Sequence, residues 1–138
     1  GADPRAYLRE QVVNANVSPV SAVPAVRYIL SAAIRAHAQS RQTVVEGRDI
    51  GSAVFPETPY KFYIDAPAQV RQRRRRDQGQ TEEIAKRDFI DSTRSTDPLT
   101  IAPGATVIDT STLDVEGVVA AMVEKLRAQG LVFDRTRR

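Results

Sequence analysis

The sequence predicts an α/β domain built on a parallel sheet, with helices on both faces and a binding crevice at the carboxyl ends of the strands. Three observations point there. Three short runs are β-rich: Thr43 to Glu46 (TVVE), Tyr60 to Ile64 (YKFYI) and Thr106 to Asp109 (TVID). Segments with helical periodicity separate or follow them. At 138 residues and 41% hydrophobic content, the chain has the length of one domain with a modest core.

Taken in order, Pro4 to Asn14 reads as a short helix, with Asp3 as its N-cap and Pro4 at the first helical position. A turn is expected at Ser18-Pro19. A second helix should run from Ala22 or Pro24 to Gln39, because Val26, Ile29, Leu30, Ala33 and Ile34 fall at helical spacing. After YKFYI a helix is expected from Ala66 through Arg76, then a break at Asp77-Gln78-Gly79-Gln80, then a helix from Thr81 to Arg94. After TVIDTSTLD comes an amphipathic helix, Val115 to Arg127, with Ser111 or Thr112 near its start and Gly130 as C-cap. Leu131 to Arg138 reads as a solvated end.

Composition narrows the function classes. The chain has no cysteine, which excludes a disulfide framework and a thiolate zinc site. No apolar run approaches the roughly 18 to 20 residues that span a bilayer, so the expectation is a soluble, cytoplasmic chain with no membrane partner. No metal-spaced set of His, Cys and carboxylates occurs, nor a Gly-x-Ser-x-Gly elbow, and the only histidine, His37, is assigned no role. Seventeen of the twenty basic residues are arginine, whose planar fork matches phosphate and carboxylate oxygens two at a time; a GC-rich genome would give the same bias.

Three constellations stand out. Arg48 and Asp49 follow the TVVE run between Gly47 and Gly51; they are either a surface pair or a ligand-binding pair, the glycines letting a ligand approach the backbone. Arg87, Asp91 and Arg94 lie at i, i+4 and i+7, so they share one helix face, either a solvated one or one that holds a sugar hydroxyl and a phosphate. The run RQRRRR puts Arg71, Arg74 and Arg75 on one side of a helix: a phosphate clamp, a nucleic-acid patch or a solvated face. With 6% aromatics and none interleaved, the stacking platform of a single-stranded nucleic-acid binder is missing, which disfavours that partner.

Together the blocks NANVSPVSAVPAVR, VVEGRDIGSAVFP, YKFYIDA, VRQRRRR, KRDFIDSTR and VIDTSTL resemble the C-terminal portion of the bacterial (d)CMP kinase, or cytidylate kinase, family. The resemblance implies a P-loop nucleoside monophosphate kinase fold, a parallel sheet with flanking helices and a mobile lid, in which the γ-phosphoryl of ATP, carried with Mg2+, moves to CMP or dCMP. By that resemblance Ser18, Arg27 and Asp49 hold the cytosine ring, Arg48 and Arg94 bind the acceptor phosphate, and Arg87 and Asp91 lie near the pentose. Arg71, Arg74 and Arg75 resemble lid arginines on the ATP side, and Arg48, Arg94, Arg75 and Arg71 are the catalytic candidates; no metal ligand is identified. Cytosine chemistry agrees: its N4 amine and its N3 and O2 acceptors complement the Asp49 carboxylate and the forked donors of Arg27, whereas uracil would set a carbonyl against that carboxylate.

The residues include no Gly-x-x-x-x-Gly-Lys-Ser/Thr, so the loop that cradles ATP phosphates is expected from a preceding segment or a partner chain, and this chain alone is expected to be inactive. The resemblance places the strand feeding that loop between TVVEG and YKFYI. Its absence would leave strand edges unpaired unless the two strands pair directly in an altered sheet. The expected organisation is a helical monophosphate-binding part over 1–41, an α/β core over 42–132 with a short arginine-rich lid over about 71–86, and a tail over 133–138. Two other functions are open: a kinase-derived structural or interaction subunit, and an RNA-binding fragment using Arg71 to Arg76.

Overall fold

The computed structural model describes residues 3, 5, 7, 8, 10–79 and 84–132. Among these residues five α-helices flank a small parallel sheet: α1 (Gln11–Ser21), α2 (Pro24–Gln39), β1 (Phe62–Asp65), α3 (Ala68–Asp77), α4 (Ile84–Thr93), β2 (Thr106–Asp109) and α5 (Val115–Ala128). A single π-type turn, Ile50–Val54, lies between α2 and β1.

The first helix differs from expectation at both ends. Of the expected Pro4–Asn14 helix, residues 4, 6 and 9 lie outside the described residues, and α1 begins only at Gln11, after Glu10 in extended conformation. Asp3 does not cap it; its carboxylate accepts from the backbone N–H of Arg5 at 3.0 Å and from Arg5 Nε at 2.9 Å. The expected turn at Ser18-Pro19 is instead the last turn of α1. Proline removes one donor there, but the turn still closes, because the Ala22 N–H donates to the Ser18 carbonyl at 3.0 Å and the Ser21 hydroxyl donates to the same oxygen at 3.1 Å. α2 starts with Pro24 in its first turn, where the missing N–H has no intrahelical partner to lose.

β1 and β2 pair in parallel, Phe62 opposite Thr106 through Asp65 opposite Asp109. Thr110 extends the register: its N–H and its hydroxyl both donate to the Asp65 carbonyl, at 2.8 and 2.9 Å. TVVE, expected as a strand, is not one. A strand needs a neighbour for its alternating N–H and C=O groups, and none of the described strands pairs with 43–46; Val44 is 95% exposed. Nor does TVVE pair with β1 in a rearranged sheet, since β1 and β2 form a two-stranded sheet.

After β1, α3 ends at Asp77 and Gly79 takes a left-handed φ of 73° in the expected break. The expected Thr81 start of the next helix lies outside the described residues, where α4 is described from Ile84. α5 is capped by Asp114, whose carboxylate accepts from the Gly117 N–H at 2.8 Å; Ser111, expected near the helix start, donates to Asp109. Gly130 closes α5 at φ 84°. Among the described residues the buried apolar core is thin, consisting of Val54, Ala66, Ile84, Ala102 and Ile108, while Tyr28, Ile29 and Phe89 are exposed. None of the described helices is alone long and apolar enough to cross a membrane.

Candidate active site

The candidate site is assembled on the loop that carries Arg48 and Asp49 into the π-type turn. That turn is closed by the Ala53 N–H donating to the Asp49 carbonyl at 2.8 Å and the Phe55 N–H donating to the Ile50 carbonyl at 2.7 Å. Arg35, on α2, donates from Nε to the Val54 carbonyl and from Nη2 to the Ala53 carbonyl, both at 2.9 Å. Both flanking glycines, expected to let a ligand approach the backbone, also stand close to the protein's own side chains. A Cβ at Gly47 would stand 2.7 Å from Ile50 Cγ1, and one at Gly51 would stand 3.2 Å from Lys61 Cδ.

From this loop an ion-pair network spreads across α2, α3, α4 and the segment after α4. Arg27 pairs with Asp49 and, from Nε, with Asp97 at 2.8 Å; its Nη1 donates to the Ser21 carbonyl at 3.2 Å. Arg94 Nη2 stands 3.8 Å from Asp49, and its Nη1 stands 3.6 Å from Asp91. Asp91, 2% exposed, also meets Arg48 Nη1 at 3.0 Å and Arg87 Nε at 3.9 Å. Arg48 Nη1 donates to Asp88 at 2.7 Å, and the other oxygen of Asp88 accepts from Arg71. Thus Arg71, Asp88, Arg48, Asp91, Arg94, Asp49, Arg27 and Asp97 alternate in sign, with Arg87 joining at Asp91.

The structure therefore brings together Arg27, Arg48, Asp49, Arg71, Arg87, Asp91 and Arg94. Ser18 is buried one turn before Ser21, whose carbonyl anchors Arg27. Arg74 turns the other way, donating to the hydroxyl of Thr110 at 3.0 Å and to the Thr110 carbonyl, and so docks α3 on the end of the sheet. Arg75 lies beside it in the last turn of α3.

Asp88, Asp97 and Arg35 join these residues without belonging to any of the constellations that stand out in the sequence. Asp88 had a local signal, since it sits three residues before Asp91 on the same helix and repeats the Arg-Asp order of Arg48-Asp49. Asp97 had none: it reaches Arg27 across 70 residues from a left-handed φ of 48°, a conformation aspartate tolerates better than most side chains.

Burial and charge compete throughout the network. Burial by itself lowers the pKa of Arg27, but the ion pairs with Asp97 and Asp49 outweigh it and hold the guanidinium above its ordinary value. In Asp88 burial raises the pKa, and the hydrogen bonds from Arg71 and Arg48 overcome it, leaving the carboxyl below the usual range. Arg94 goes the other way, lowered by burial and then by the neighbouring Arg27 cation. The Arg94 side chain is 5% exposed, and its Nη2 has no hydrogen-bond partner among the described residues. Five guanidiniums meet four carboxylates here, a local cationic excess suited to an anion with several oxygens.

Helices around a small parallel sheet, with the network joining three of those helices to the loop segments beside them, define an α/β fold of the nucleoside monophosphate kinase type. The chain belongs to the cytidylate kinase family, whose family model matches residues 1–128. It is similar to a cytidylate kinase of Caldanaerobacter subterraneus subsp. tengcongensis, 39% identical over 92% of this chain and 62% of that relative. Cytidylate kinases of Mycobacterium leprae (37% identical; 92% of this chain, 62% of the relative) and Clostridium botulinum (38%; 86% and 60%) are comparable. The chain spans about three-fifths of the length of the curated relatives it matches.

Proposed function

We propose that this chain supplies the acceptor-binding and lid parts of a (d)CMP kinase, which moves the γ-phosphoryl of ATP to CMP or dCMP to give CDP or dCDP. A P-loop segment, from a preceding stretch or a partner chain, completes the ATP side. The observation that carries the reading is Arg94: a buried guanidinium with an unused Nη2 donor, set among Arg27, Arg48 and Arg87, is a receptor for a phosphate oxygen. Support also comes from the family membership and from relatives named cytidylate kinase.

On this reading Asp49 and Arg27 face the cytosine edge, with buried Ser18 behind them; Arg48 and Arg94 take the phosphate, and Arg87 and Asp91 the pentose. Residues 1–41 make up the monophosphate-binding part and 71–86 the lid, with Arg71 and Arg75 toward ATP and Arg74 docking α3 on the sheet. Phosphoryl transfer asks the protein chiefly for alignment and charge neutralisation, and converging arginines supply both without a covalent step. Among the described residues no group of His, Cys, Asp and Glu is arranged to hold a metal ion. Mg2+ is taken from the family resemblance as the ion carried by ATP, and no step here is assigned to it. A cytoplasmic setting follows from the substrates.

Calorimetric titration tests the reading directly. CMP should bind more tightly than UMP, and Arg94→Ala should weaken CMP while sparing cytidine; equal binding of all pyrimidine monophosphates removes the reading. A second reading, a kinase-derived interaction subunit, is favoured by the unpaired TVVE run and the exposed Val44, Tyr28 and Ile29. It predicts that a P-loop segment added back binds the chain without restoring phosphoryl transfer.

A further inference from the structure

Among the described residues, both carboxylate partners of Arg48 meet a single nitrogen, Nη1: Asp88 at 2.7 Å and Asp91 at 3.0 Å. Nη1 carries two protons, so both contacts are made by one corner of the guanidinium, and the side-on fork of Nε and Nη2 is the edge left for an anion. The second oxygen of Asp88 takes Nη1 of Arg71, whose Nε is itself fixed on the Ala66 carbonyl at 2.9 Å. One carboxylate on α4 thus ties the loop arginine to the first arginine of α3, holding two like charges next to each other. Asp88 itself is assigned no contact with the nucleotide above, so it would act through its two partners, Arg48 and Arg71.

We propose that Asp88 is a positioning residue that aims the free edge of Arg48 at the acceptor phosphate and keeps Arg71 beside the same anion. The proposal rests on the nucleotide-binding reading, and the phosphate group is its specific object. Loss of the carboxylate leaves Arg48 with one anchor and lets the Arg48 and Arg71 cations separate, so the cost falls on ligands that carry a phosphate.

The test compares CMP with cytidine on the full chain. In Asp88→Asn the CMP dissociation constant should rise about tenfold, the size of one charge-assisted contact, while that for cytidine stays unchanged. CMP binding equal to or tighter than wild type overturns the proposal. So does a loss shared equally by CMP and cytidine, which marks a merely structural role. If Asp88→Asn does not fold, Asp88→Glu carries the same comparison, because one added methylene displaces the anchor while keeping the charge. If the wild-type chain binds neither CMP nor cytidine, the nucleotide reading fails on its own. Inorganic phosphate then decides the positioning claim: the variant should need about tenfold more phosphate for the same rise in Tm, and an unchanged requirement overturns it.

Discussion

Arg27 and Arg35 stand eight residues apart on α2 and grip the two ends of one loop. Arg27 binds the carboxylate of Asp49 where the loop enters its π-type turn, and Arg35 binds the carbonyls of Ala53 and Val54 where it leaves. One helix therefore sets the position of the whole segment that presents Arg48 and Asp49.

Arg35→Ala should loosen that segment without touching ligand. It removes two hydrogen bonds from a charged donor at a partly exposed site, so a loss of about 1 to 2 kcal/mol is expected in urea unfolding. CMP affinity should fall severalfold as the loop loses its fixed end. Unfolding and CMP binding both at wild-type values would show that Arg27 alone holds the loop.

Asp49→Ala should abolish discrimination between CMP and UMP. On the proposed reading the carboxylate accepts from the cytosine amine and repels the uracil carbonyl, a difference of about 1 to 3 kcal/mol in a desolvated site. Competition titrations with the two nucleotides check it. Arg27→Ala should be the more destabilising change in urea unfolding, because it takes an ion-pair partner from two carboxylates, Asp97 and Asp49, at once and leaves Asp49 only the longer contact with Arg94.

Acid should weaken the fold partly through Asp88. A carboxyl held below its ordinary 3.8 by Arg71 and Arg48, against the opposing effect of burial, stabilises the fold fully above that value. The contribution disappears as pH falls through the lower, folded-state value. Asp109 and Asp3 are shifted in the same direction, so wild type must be compared with Asp88→Asn. Thermal melts from about pH 5 down to about pH 2 should show a shallower decline in the variant; parallel curves would mean Asp88 is not a source of the acid sensitivity.

Gly47→Ala should cost about 1 to 3 kcal/mol, because the new methyl collides with Ile50 Cγ1, a branched position close to the backbone that cannot swing away freely. Combining it with Ile50→Ala should recover part of the loss. Strict additivity in the double mutant would locate the strain elsewhere.

The parts of the fold that could be read from sequence are those governed by local periodicity. β2 occupies the four residues of TVID, and α2 and α5 follow their apolar spacing. The shared face of Arg87, Asp91 and Arg94 was readable for the same reason. The start of α1 and the continuation through Pro19 were not, because near a helix end a proline sacrifices a single bond that the next donors compensate. TVVE has strand composition, but composition supplies no partner. Asp88 and Asp97 join the network through contacts 40 and 70 residues away in sequence, and pairing at that range leaves no periodic trace.

Asp97 carries a consequence for how this site can vary. Its left-handed φ shapes the turn after α4, and its carboxylate anchors Arg27. Glycine there would keep the bend and lose the anchor, glutamate would keep the charge and resist the bend, and valine would do neither. Asparagine preserves the curvature while removing the charge, so this position offers a way to ask separately what shape and charge each contribute.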